Sequence, residues 1–238
     1  MDPILYNAAM EGNTGGDGDF LLADHLQRDE ENGYQVTPKG NTVLHVAALY
    51  GHSHFAGDHN IKESLMRMTD AKGDTALHKA VRSQHLDVVK LLIKEDPEFE
   101  FPANHANETP LYLAAESDFH DALINILESC KKPTCAAGPS NRTPLHAAVI
   151  QEHKGLEDIV SDMLGWKKSL VYLPEGREND WMTTIHIAGS EGDVNMMNEI
   201  LKHCPDCWDM LNSNSQNALY VAILNNQEEV LWKVRQPC

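Results

Sequence analysis

The sequence predicts an all-α solenoid of about seven stacked helix–turn–helix units, and three observations carry that expectation. The first is a period. Segments beginning at Pro3, Thr42, Thr75, Thr109, Thr143, Thr183 and Asn217 follow one another at intervals of 39, 33, 34, 34, 40 and 34 residues. The second is a fixed apolar pair inside each segment. Two residues past the start stand Leu5, Leu44, Leu77, Leu111, Leu145, Ile185 and Leu219; five past it stand Ala8, Ala47, Ala80, Ala114, Ala148, Ala188 and Ala222. The third is punctuation, with Gly12, Gly51, Gly192 and Asn226 nine past the start and Gly40, Gly73, Asn107 and Asn141 two before it. A unit of this length cannot bury its apolar face alone, so it must stack on its neighbours.

Each element has a mechanical reason. Thr42, Thr75, Thr109, Thr143 and Thr183 suit a helix N-cap, where the hydroxyl accepts from an otherwise orphaned backbone N–H. Pro110 and Pro144 follow at the first helical position, where no N–H is needed. The leucine and alanine, three apart, share one helical face. Alanine there lets the next repeat's helix come close. The residue nine past the start ends this inner helix with a left-handed turn. An outer helix follows, with Val88, Val89, Leu91 and Leu92 in the third unit and Leu123, Ile124, Ile126 and Leu127 in the fourth. The glycine or asparagine before the threonine supplies positive φ to a tight finger turn. The whole chain reads as one repeat domain over residues 1–238, with units starting near 1, 37, 70, 104, 138, 178 and 212 and the outermost two acting as caps.

Three departures are visible. The second unit's outer helix, His54-Phe55-Ala56-Gly57-Asp58-His59-Asn60-Ile61, breaks its apolar stripe at Gly57, Asp58 and His59, so a short, shifted or frayed helix is expected. Thr14-Gly15-Gly16-Asp17-Gly18-Asp19 reads as a flexible insert. Pro174 to Asp180 lengthen one finger, which ends at Trp181.

The 33–34 residue period, with His45, His78, His146 and His186 directly after the leucine or isoleucine, resembles the ankyrin repeat; Tyr6, Tyr112 and Tyr220 replace that histidine in three units. More closely, MDPILYNAAMEG, TPKGNTVLHVAALYGH and KGDTALHKAV resemble the N-terminal half of plant ankyrin-transmembrane (PGG-domain) proteins of the accelerated-cell-death type. That resemblance implies a protein-binding scaffold in defence and stress signalling, with salicylic acid and control of cell death as its setting and the cytosolic face of the plasma membrane as its place. The family's C-terminal membrane domain is absent from these 238 residues, so association with membrane-spanning homologues is expected in place of direct insertion. The other reading is a soluble regulatory subunit or decoy of a full-length membrane homologue.

Composition agrees with a protein partner. A net charge of −17 argues against nonspecific attraction to nucleic acid or an anionic membrane surface and favours a basic partner. The opening residues lack a basic stretch followed by an apolar one, and five cysteines do not suggest a disulfide scaffold, so a reducing cytoplasmic setting is expected.

No catalytic motif is present, and neither enzyme activity, a cofactor nor a metal is expected. Cys204-Pro205-Asp206-Cys207 after His203 could be half a zinc site or a redox pair. The repeat explains it better: Pro205 lies 22 residues past Thr183 as Pro97 lies 22 past Thr75, which puts Cys207 in the apolar slot of Phe99. His52, His54, Asp58 and His59 are close in sequence, but His52 is the ordinary residue after Gly51. Two glycosylation sequons, at Asn107 and Asn141, are accounted for by the turn asparagine and the capping threonine.

The ankyrin resemblance also implies where a partner binds: one, three and four residues before the repeat start and seven and eight after it. These positions are Lys39, Asn41, Leu49 and Tyr50; then Lys72, Asp74 and Arg82; then His105, Glu108 and Glu116. Further along they are Arg142, Ile150 and Gln151, then Asp180, Met182 and Glu191. Lys39, Lys72 and Arg82 make the early part basic, and Tyr50 and Arg82 are the residue types that most often dominate binding energy. Tyr50 could instead simply pack against a neighbouring unit.

The register makes a quantitative prediction. Ala148→Leu should destabilise the fold by about 1–3 kcal/mol through overpacking, measured as a lowered unfolding midpoint in denaturant. An unchanged midpoint would show that the repeat is misaligned.

Overall fold

The inner helices begin where the sequence places a capping side chain. In a computed structural model describing residues 1–15, 22, 34–58, 63–130, 138–151, 156–176 and 180–234, Thr42, Thr75, Thr109, Thr143, Thr183 and Asn217 are N-caps with extended backbone. The first repeat starts one residue early. Asp2 caps it by accepting from the Ile4 N–H at 2.9 Å, and Pro3, having no N–H to satisfy, is the first helical residue.

Two compact units divide the chain, Met1–Thr134 and Cys135–Cys238. In the first, the described helices are α1 (Pro3–Glu11), α2 (Val43–Tyr50), α3 (Ser53–Ala56), α4 (Glu63–Met66), α5 (Ala76–Arg82), α6 (Leu86–Glu95), α7 (Pro110–Glu116) and α8 (His120–Ser129). Inner helices stack in the order α1, α2, α5, α7, and outer helices α3, α6, α8 stack behind them. The second unit holds α9 (Pro144–Ile150), α10 (Glu157–Trp166), α11 (Thr184–Glu191), α12 (Val194–His203), α13 (Ala218–Leu224) and α14 (Glu228–Val234). There α9, α11 and α13 form the inner layer and α10, α12 and α14 the outer one. Among the described residues there is no strand.

The core lies between the two layers of each unit. All seven repeat alanines are buried, as are Leu5, Leu44, Leu77, Leu111, Leu145 and Ile185. The alanine is needed because adjacent inner helices nearly touch. At Gly189, next to Ala188, an added Cβ would sit 2.8 Å from the Ala218 carbonyl oxygen.

Helix ends follow the same period. Gly12, Gly51 and Gly192 adopt φ of 79°, 85° and 74°. Gly51 answers two demands at once, because a Cβ there would also lie 2.8 Å from the His85 ring of the next repeat. The corresponding Gln84, Asp118 and Asn226 are left-handed too, with φ of 58°, 53° and 56°, which the sequence does not announce at glutamine. In the finger turns Gly40, Gly73, Asn107 and Asn141 take positive φ as expected, and Trp181 and Ser215 occupy the equivalent place at 55° and 57°.

The second repeat's outer helix is short, as its sequence predicts: α3 is four residues, closed at Gly57, and α4 is another four. Phe55, Leu65 and Met66 still reach the core. His59, Asn60 and Ile61 lie outside the described residues, as do Gly16 to Asp19 of the insert, Arg177 to Asn179 of the long finger, and Cys135 and Cys238.

Amide hydrogen exchange should reflect this unevenness. Residues 42–69 should exchange faster than residues 75–104, where α6 buries Val88, Val89, Leu92 and Ile93. Equal protection in the two segments, read by mass spectrometry, would refute that.

Candidate protein-binding face

The fingers form a ladder of single backbone hydrogen bonds. In the first unit the Ala71 N–H donates to the Lys39 carbonyl at 3.0 Å and the His105 N–H to that of Lys72 at 2.9 Å. In the second, Gly176 donates to Ser140 at 2.8 Å and Ser213 to Asp180 at 2.9 Å. Asp70, Asn104 and Asn212 shape their own fingers, each side-chain oxygen accepting from the N–H groups two and four residues on, at 2.8–3.0 Å. Such Asx turns explain why these residues are buried despite their polarity.

Three fingers are tied to the inner helix behind them through histidine. Nδ1 of His45, His78, His146 and His186 lies 3.1–3.3 Å from the capping threonine's backbone nitrogen and 2.7–2.8 Å from its hydroxyl, and accepts from both. The proton must then reside on Nε2, which donates to the next finger: His45 to the Asp74 carbonyl at 2.8 Å, His78 to Glu108 at 3.0 Å, His186 to Gln216 at 3.0 Å. His146 faces the Met182 and Leu173 carbonyls, but its Nε2 makes no bond of standard geometry. Its next finger is the lengthened one. Burial drives all four rings toward neutrality, lowering His78 and His146 to about 4 and displacing His45 and His186 the same way.

In the first unit three of the expected recognition residues, Asp74, Arg82 and Glu108, are joined to one another. Asp74 is fully buried and accepts from Arg82 at 2.7 Å, Asn104 at 2.7 Å and Lys79 at 2.9 Å. Lys79 also binds Asp70 at 2.7 Å, and the other arm of Arg82 binds Glu108 at 2.7 Å. Burial by itself would raise the Asp74 carboxyl, but those three donors hold it well below the usual carboxylate range. Around this network lies a cleft of about 580 Å³, lined by Lys72, Arg82, His105 and Glu108 among others. Glu116 stands half-buried nearby; burial and the Glu108 charge raise its pKa.

Lys39, Lys72 and His105 are exposed on the fingers, and Leu49 and Tyr50 are exposed at the end of α2. The Tyr6 hydroxyl bonds to that of Tyr50 and raises its pKa. In the second unit Arg142 is engaged with buried Glu175 at 2.8 Å, Ile150, Gln151 and Met182 are half-buried, and Asp180 and Glu191 are exposed. The residues sequence reasoning missed are Asp70, Lys79 and Asn104. Asp70 and Asn104 carry a readable signal, an Asx residue five before the repeat start. Lys79 carries none, since its position holds an asparagine in the first repeat and apolar residues in the other five.

The repeat register carries both cysteines of the motif into the core. Cys204 and Cys207 are buried, and burial raises both thiols, Cys207 to about 12, so neither is a ready thiolate. In the histidine-rich segment, His52 donates to the Met10 carbonyl at 2.8 Å and His54 to that of Gly12, so both rings are engaged in stacking the second repeat on the first.

A family model for ankyrin repeats (three copies) matches residues 5–103 and 53–136, and the chain belongs to the ankyrin-repeat family. Among curated proteins it is 30% identical over 159 residues to alpha-latrotoxin-Lhe1a of Latrodectus hesperus, covering 66% of this chain and 11% of that one. It is 29% identical over 165 residues to alpha-latrotoxin-Lt1a of Latrodectus tredecimguttatus, covering 68% and 12%. The match thus spans only about a ninth of these relatives' length. Among solved structures it is similar to the human ASB11 ankyrin repeat domain (TM-score 0.67, 20% identity, all of both chains). It is also similar to the ankyrin repeat domain of Bcl-3 (TM-score 0.77, 17% identity, 99% of both). These likenesses establish the fold as an all-α ankyrin-repeat solenoid. Among the described residues no helix is long and apolar enough to cross a membrane.

The histidines set a pH dependence. A ring whose folded pKa is depressed stabilises the fold fully above its unfolded value near 6.5, and that contribution is lost as pH falls through the folded value. For His78, with a folded value of about 4, the loss between pH 7.5 and pH 5 is about 2 kcal/mol. Denaturant titrations at the two pH values should show it, and His78→Gln should reduce the difference by about that amount, leaving the share of the other three rings. A variant retaining the full slope would remove His78 from this role.

Proposed function

We propose that the chain is a scaffold whose partner docks on the fingers and inner helices of its first compact unit, in plant defence and stress signalling at the cytosolic side of a membrane. Ankyrin repeats are protein-interaction modules, and the observation favouring this face is the exposure of Leu49 (46%) and Tyr50 (44%) on α2, with Lys39 and Lys72 on the fingers. Large apolar side chains held outward on a rigid helix, with free cations nearby, supply both an anchor and orientation. The signalling context is supported by the MDPILYNAAMEG and TPKGNTVLHVAALYGH segments and their resemblance to plant ankyrin-transmembrane proteins.

The structure sharpens which residues to change. Arg82 and Arg142 already have carboxylate partners, so their replacement would strip one of the three donors from buried Asp74 or take the guanidinium from buried Glu175, and would disturb the fold as well as the face. Tyr50 and the two lysines are the cleaner probes. Tyr50→Ala should weaken a partner captured from plant tissue by about 30-fold, or roughly 2 kcal/mol, with unchanged circular dichroism. The two lysines call for an acidic patch on the partner at this face, whatever the partner's net charge, so reversing both to glutamate should slow association and reduce its salt dependence. Folded variants that bind as tightly as the parent would move the site elsewhere.

A further inference from the structure

Trp181 stands where the other fingers carry a small or turn-forming residue. Two residues before the repeat start the backbone is left-handed, with Gly40 and Gly73 at φ of 75° and 77°, Asn107 and Asn141 at 62°, and Ser215 at 57°. Trp181 takes the same conformation at 55°, as does Asp180 before it. A bulky side chain enters that region only with backbone strain. Burial does not offset the strain, since Trp181 is 48% exposed. The finger lies inside the array. Gly176 donates to the Ser140 carbonyl of the finger before it at 2.8 Å, and Ser213 of the finger after it donates to the Asp180 carbonyl through its N–H and its hydroxyl, each at 2.9 Å. On the other side of Trp181, the Met182 carbonyl accepts from the Glu175 N–H at 2.9 Å. The indole is therefore exposed with both neighbouring fingers in place, on a backbone pinned at the residues before and after it. Its surroundings are acidic. Among the described residues on the fingers and inner helices of this compact unit, the exposed charges are Asp180 and Glu191, and the single lysine or arginine, Arg142, is held by Glu175 at 2.8 Å.

We propose that Trp181 anchors a second docking surface, and that its occupant is an arginine-bearing basic segment of a partner protein. The guanidinium stacks on the indole, and its charge is met by Asp180 and Glu191. Tryptophan offers the strongest ring for such a contact, and the planar, weakly hydrated guanidinium suits it better than an ammonium does. An aliphatic segment would leave both carboxylates unanswered, and an acidic one would be repelled by them. A large aromatic ring fixed outward is also the residue type that most often dominates binding energy. The strain then has a reason: the fold gives up some stability to hold a recognition group in place. This surface belongs to the second compact unit and does not rest on the docking reading for the first, whose exposed finger lysines, Lys39 and Lys72, are of opposite sign.

Titration of the 238-residue chain with a short peptide of alternating glycine and arginine tests this, followed through the indole N–H signals of its four tryptophans in proton–nitrogen correlation spectra. The signal that Trp181→Asn removes is that of Trp181; in the parent it should move further than the other three and saturate. Trp181→Asn should weaken peptide binding by about tenfold. The same variant should unfold at an unchanged or higher denaturant midpoint, because asparagine accepts the left-handed turn, as at Asn107 and Asn141. Trp181→Phe keeps an aromatic face and should retain most of the affinity. Asp180→Asn combined with Glu191→Gln should weaken binding by about threefold and flatten its salt dependence. A Trp181→Asn variant that binds the peptide as tightly as the parent would overturn the proposal, leaving only the general attraction of a basic peptide to a chain of net charge −17. A lowered unfolding midpoint in that variant would also overturn it, by showing that Trp181 is held for packing. So would a Trp181 signal that stays still while the others move.

Discussion

A neutral histidine, accepting from a threonine behind it and donating to a carbonyl ahead of it, is the interaction that joins three of the inner helices to the finger that follows. It closes the first turn of the inner helix, fixes the ring's tautomer and fastens the following finger. One side chain thereby couples local structure to stacking. The coupling accounts for the residue types around it: the threonine must offer both N–H and hydroxyl, and the alanine two residues on must leave the next helix room to bring its carbonyl within reach. Where the following finger is lengthened, at His146, the forward bond opens while the rear one persists. The rear bond belongs to the helix itself; the forward one belongs to the spacing between repeats.

Much of this is legible in the amino-acid order because ankyrin stacking is local. Each repeat contacts only its neighbours, so the spacing of leucine, alanine, threonine and glycine carries the architecture with little long-range information. The weak second outer helix is legible for the same reason, since Gly57 and Asp58 interrupt a stripe that has to be continuous. The left-handed Gln84 is not, because glutamine has no preference for that conformation. It is held there by its place in the period.

The candidate face is less legible. Position in the repeat says which residues the ankyrin resemblance would turn toward a partner, but not whether they are already engaged. Arg82 reads as a free cation on that face, whereas it bridges Asp74 and Glu108; Arg142 is likewise taken by Glu175. Such pairings depend on which side chains happen to stand one repeat apart, and a residue-by-residue reading does not bring them together. The result is a face less basic than its composition. Its free cations are finger lysines, and its central charges are spent holding one finger to the next.

The four-residue α3 has a consequence under load. In a stack of repeats, tension applied along the chain passes from one helix pair to the next, and among the described pairs of the first compact unit the one with the shortest outer helix yields first. The second repeat would then act as a fuse. Its outer layer could open while the helix pairs after it stay closed, lengthening the chain without dissolving the rest of its compact unit.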